Sequence, residues 1–117
     1  MKRRTPHPLE HHPSFRAVIA AAPPVAELAR ELPEDGRELV GTLALVCGDL
    51  AQGFASPPGS RARTQAHHRA WTAVRELDRA VTAARLNRLA PARVIAKAQR
   101  AIDRADVMIS ALPGVLA

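Results

Sequence analysis

Apolar residues recur along this chain every three to four positions, in four blocks separated by proline- and glycine-bearing links. Residues at that spacing fall on one side of a 3.6-residue helix, so each block predicts an amphipathic helix. The first block gives Phe15, Val18, Ala22, Val25, Ala29 and Leu32 on one face, with Ser14 as its N-cap. Pro23 and Pro24 fall inside it. Each removes a backbone donor and crowds the preceding turn, which predicts a helix kinked or broken at Pro23-Pro24. The second block runs from about Gly36 to Gln52, with Leu39, Leu43, Val46 and Leu50 as its stripe and Val40, Cys47 and Phe54 widening it. Gly53 is the expected left-handed residue closing that helix, Phe54 pins its end into the core, and Ser56–Ser60 links the two helix pairs.

The third block begins near Ser60 and reaches about Asn87, with Trp71, Val74, Leu77, Val81 and Ala84 on one side. Pro91 suits the first turn of a fourth helix running to about Ala111. That helix carries two apolar lines. One is Val94, Ala98, Ala101, Ala105, Met108 and Leu112, and the other is Ile95, Ile102 and Ile109. The small residues permit close approach inside a core. The isoleucine line is therefore assigned to contact with another subunit, the alternative being a helix buried more deeply in its own bundle. Four amphipathic helices with short links predict an all-α, antiparallel up-down four-helix bundle over residues 14–117. Residues 1–13 hold three prolines, three histidines and three basic residues without a periodic apolar pattern, and read as a flexible tail.

Composition sharpens this picture. At 117 residues the chain is one domain, with 47% apolar residues and few aromatics. A single cysteine excludes an internal disulfide, and no uninterrupted apolar run approaches the ~20 residues of a membrane span. The basic start followed by the apolar run after Arg16 is too short for a signal peptide, which leaves the cytoplasm as the expected location.

The net charge is +6, unevenly placed. Ser14 to Ser60 holds three basic and six acidic residues, whereas Arg61 to Arg104 holds eleven basic and three acidic ones. Arg93, Lys97, Arg100 and Arg104, spaced 4, 3, 4, project from one line of the fourth helix. Arg75 and Arg79 are a turn apart on the third, and Arg85 and Arg88 flank the link. These eight cations are the candidate contacts to a polyanion, RNA or DNA, since cations in a row neutralise successive phosphates. The competing reading is charge that serves solubility alone.

Other chemistry is weakly represented. His7, His11 and His12 lie in the tail, and adjacent His67 and His68 point to different sides of a helix, so no metal site is expected. Glu76 and Asp78 diverge, Cys47 sits on an apolar face, and no nucleophile-base spacing or glycine-rich phosphate loop occurs. No enzymatic activity, cofactor or small-molecule substrate is expected.

Three stretches carry a family likeness: Leu50-Ala51-Gln52-Gly53-Phe54 ending the second helix, Ala73, Val74, Glu76, Leu77 and Asp78 in the third, and Leu86, Asn87 and Leu89 at the following turn. In these the chain resembles the four-helix-bundle proteins encoded in intervening sequences of bacterial large ribosomal RNA genes. A relative of that family is the accessory variability protein of diversity-generating retroelements. The resemblance implies a homopentamer and a nucleoprotein partner such as a reverse transcriptase. The chain departs from the family pattern at Cys47 and Gln52, and its second helix lacks the early basic pair, so its cations lie on the last two helices instead. A protein-protein adaptor without direct nucleic-acid binding is the alternative function.

Overall fold

A computed structural model describes residues 8–116. It is all-helical: a 3-10 turn at Pro8–His11 leads into α1 (Pro13–Glu31), α2 (Gly36–Ala55), α3 (Arg61–Leu86) and α4 (Ala92–Ser110). Helix α1 packs on α2 and α4, and α3 packs on α2 and α4, which is the cyclic order of an up-down four-helix bundle. Residues 1–7 of the expected tail lie outside the described part, but its second half is structured, since α1 already begins at Pro13.

The core is aliphatic. Val18, Val25, Leu28, Val46, Leu50, Leu77, Val81, Ile102 and Ile109 are among its buried side chains. Burial of this kind stabilises by roughly 1.5–3 kcal/mol per large aliphatic side chain, which outweighs the imperfect helix propensity of the valines.

Several local expectations are corrected. Of the two expected outcomes at Pro23 and Pro24, a kink or a break, the break does not occur: α1 is one helix through both prolines. Of its expected stripe Val18, Val25 and Leu32 are buried and Phe15 and Ala29 pack against the core, but Ala22 is exposed and Ala17, Ala21 and Leu28 widen the buried face. Ser14 is not the N-cap but a buried first-turn residue whose hydroxyl has no partner, the cap position falling to His12.

Gly53 does not end α2 either. It lies inside the helix, and the left-handed conformations fall at Gly59, Arg88 and Gly114. Its reason is contact: a methyl group at position 53 would collide with the His67 ring. Phe54 does pin the bundle end as expected, stacked on His12 at 3.6 Å and edge-on to His67 at 4.5 Å between ring centres, with the Arg63 guanidinium 5.2 Å from its ring.

The isoleucine line is also reassigned. Ile95, Ile102 and Ile109 are 5%, 1% and 0% exposed within a single chain, so they are core residues and cannot form the oligomer interface. Both apolar lines of α4 turn inward, packed against the core between α1 and α3. Helix α2, by contrast, has the length and mean hydropathy (1.2) of a membrane span, although only 28% of that window is buried in the bundle. Run length alone misses this, because Gly, Thr and Cys interrupt the aliphatic residues without adding charge.

Candidate nucleic-acid interface

Helix α3 starts cleanly because the Ser60 hydroxyl accepts the Arg63 backbone N–H at 3.2 Å. At its other end the Leu89 N–H reaches the Ala84 carbonyl (3.0 Å) and the Arg88 N–H reaches Arg85 (3.2 Å). That six-to-one and five-to-two pair is a Schellman ending, which places Arg88 in the position usually given to glycine. Arg88 accordingly has φ of 51°, the one non-glycine residue with a left-handed backbone among those described. Pro91 then opens α4 with no side-chain cap and no acidic residue in its first turn.

All eight sequence-predicted cations are exposed: Arg75, Arg79, Arg85 and Arg88 on α3 and its turn, and Arg93, Lys97, Arg100 and Arg104 on α4. They stand on two neighbouring helices, α3 and α4, with Arg93 at the border with α1. Arg75 faces Asp106 at 3.4 Å and Arg93 faces Glu27 at 4.0 Å, both exposed and long, so these pairs hold their cations weakly. The other six have no ion-pair partner among the described residues.

Arg85, Arg88 and Arg100 converge on one cleft of about 620 Å³ whose remaining walls are Ala90, Ala92, Ile95, Ala96 and Gln99. Gln99 is held in place by donating its amide N–H groups to Asp78 and Asp103, each at 2.8 Å. With both donors engaged, its carbonyl oxygen is left as the acceptor. Sequence spacing put Arg100 on one line with Arg93 and Arg104, but only the docking of α4 against the α3 turn brings it to Arg85 and Arg88.

Trp71 is half-buried and donates its indole N–H to Asp106 at 3.0 Å, so it braces α3 against α4 rather than offering a face to a base. Among the described residues no group of three or more His, Cys, Asp or Glu side chains is placed to hold a metal ion. His12 stacks on Phe54, His67 is 2% exposed, and His68 donates its Nδ1 proton to the Val115 carbonyl at 3.0 Å, tying the C-terminal segment to α3. His7 lies outside the described residues. Burial pushes the Cys47 thiol up, away from the thiolate that a nucleophile requires.

No protein-family model, curated protein or solved structure matches this chain. The family likeness therefore rests on the motif residues themselves, of which Gly53 and Phe54 pack against His67 and His12 at the end of the bundle.

Proposed function

We propose that this protein is a non-enzymatic, homo-oligomeric helical scaffold that presents its α3–α4 side to nucleic acid, or to a nucleoprotein partner such as the reverse transcriptase implied by the family resemblance. The observation that carries this reading is the row of exposed cations, six of them without carboxylate partners, gathered on two adjacent helices. Such a surface gains affinity by releasing counterions from phosphates, a term that needs no sequence-specific motif. The test is direct. Binding of a labelled single-stranded oligonucleotide should weaken steeply with salt, each lost phosphate contact lowering the log–log slope by about 0.7. Reversing Arg93, Lys97, Arg100 and Arg104 to Glu should abolish binding, and an unaltered chain that binds nothing at low salt removes the proposal.

Self-association is placed on the opposite side. Residues 17–26 of α1 and 39–48 of α2 contain no charged side chain, and the two helices lie side by side. Ile19, Val40 and Leu45 project from these runs, Leu45 being 62% exposed. A second copy of this chain suits that face, because it opposes no like charges there while both cationic sides stay outward. At 1.5 Å per residue the two runs cover about 15 by 20 Å, the apolar centre of an interface whose rim the charged ends of α1 and α2 complete. The stoichiometry implied by the resemblance is five, and a ring of five requires this face to meet a second, different patch on the next copy.

A further inference from the structure

The cleft at the α3–α4 turn differs in kind from the rest of the cationic side. Elsewhere the cations stand on convex helix surface, but here three arginines rim a concavity with an aliphatic floor. Its volume of about 620 Å³ falls among those of small-molecule sites. The guanidinium groups of Arg85, Arg88 and Arg100 make no hydrogen bond or ion pair among the described residues, so their donors are unused. Arg88 holds its place with a backbone conformation that glycine would adopt without strain. The cleft thus combines donors for an anion, an apolar wall of Ala92, Ile95 and Ala96, and a fixed acceptor in the Gln99 carbonyl.

We infer that this cleft is a nucleotide site, seating one residue of a single strand with its phosphate on the arginine rim and its base against the aliphatic wall. The choice of a nucleotide among amphipathic anions rests on the nucleic-acid reading above; the three parts of the site are read from the cleft itself. Guanidinium planes serve both tasks, bonding a phosphate bidentately or stacking on a base. The Gln99 oxygen can accept from a base N–H, whether an exocyclic amine or a ring imino group. A flat run of surface cations explains charge attraction but not a place for a base, whereas this cleft gives one.

The experiment titrates the full chain with adenosine 5′-monophosphate, ribose 5-phosphate and inorganic phosphate by calorimetry, alongside a labelled oligonucleotide. Adenosine monophosphate should saturate at one per chain and bind about tenfold or more tightly than ribose 5-phosphate, which lacks the base. Ala96→Trp fills the cleft from an exposed helix position without changing charge, and Arg85→Ala with Arg88→Ala strips the rim. Either should cost about tenfold or more in nucleotide affinity, while Arg61→Glu, at the far end of α3 from the cleft, should leave it unchanged. Ala92→Trp repeats the blockade should the first variant fold poorly. Equal binding of the nucleotide and of ribose 5-phosphate, or unchanged nucleotide affinity in folded Ala96→Trp, overturns the inference. The two readings fail separately. Oligonucleotide binding that survives Ala96→Trp, without nucleotide binding, sinks the cleft alone; nucleotide binding at the cleft without salt-sensitive oligonucleotide binding sinks the scaffold reading and leaves the cleft standing.

Discussion

His67 shows how one side chain can tie together the end of the bundle. It is 2% exposed, its ring fills the space left by Gly53, and Phe54 covers it edge-on. Its Nε2 atom has no hydrogen-bond partner among the described residues, a cost that the packing around it must offset. Burial lowers the pKa of His67, and the nearby Arg63 charge lowers it further, against an opposing hydrogen bond with Leu50. His12, stacked on the same Phe54, is lowered by burial, then by Arg63 and His11. Both rings thus take up a proton less readily in the fold than in the unfolded chain, where their ordinary value is 6.5. Their contribution to stability is complete above that value and is lost as pH falls toward the folded values. Chemical denaturation across pH 7.5 to 5.5, above the range where carboxylates titrate, should show flat stability and then a decline. His67→Asn should flatten the decline even though it lowers stability overall, and an unchanged slope in that variant would refute the assignment.

Among the elements, the end of α3 joins stability to function at Arg88. A left-handed backbone costs a non-glycine residue about 1 kcal/mol, and Arg88 carries that cost at φ of 51°. Arg88→Gly should therefore raise stability by about 0.5–1 kcal/mol while weakening nucleotide binding at the cleft. Thermal melts and the titration above read the two effects separately. A variant that melts earlier than the parent would show that the arginine side chain, rather than the turn, holds this end together. The glycines of α2 mark a similar division. Gly53 is fixed by contact with His67, whereas Gly41 and Gly48 have open space where a methyl group would stand and belong to the uncharged outer face.

At the scale of the whole molecule, the bundle has two sides of opposite character: α3 and α4 gather the cations, and α1 and α2 bring together two uncharged runs of ten residues. The expected outcome is that Leu45→Glu, at an exposed site, leaves helix content intact but converts the assembly to monomers in light scattering. Ile102→Ala instead should lower stability by about 2–4 kcal/mol, as removal of a core side chain does, without a specific effect on assembly at equal folded fraction. A monomeric parent chain at micromolar concentration would dispose of the oligomer altogether.

The number, type and approximate limits of the helices, and the eight exposed cations, were legible in the sequence because they follow from periodicity and charge, which are local properties. So was the anchoring role of Phe54, since a large aromatic ending an apolar stripe has few other places to go. The isoleucine line, the role of Gly53 and the cleft were not. Periodicity shows that a helix has an apolar face, but not how much of it the neighbours cover: all four helices have two neighbours, yet α4 buries its isoleucine line while Val40 and Leu45 of α2 stay exposed. A glycine near a helix end reads as a stop until the His67 ring from another helix is found against it. The three arginines of the cleft come from two helices and a turn, and only their packing turns separate charges into one concave site.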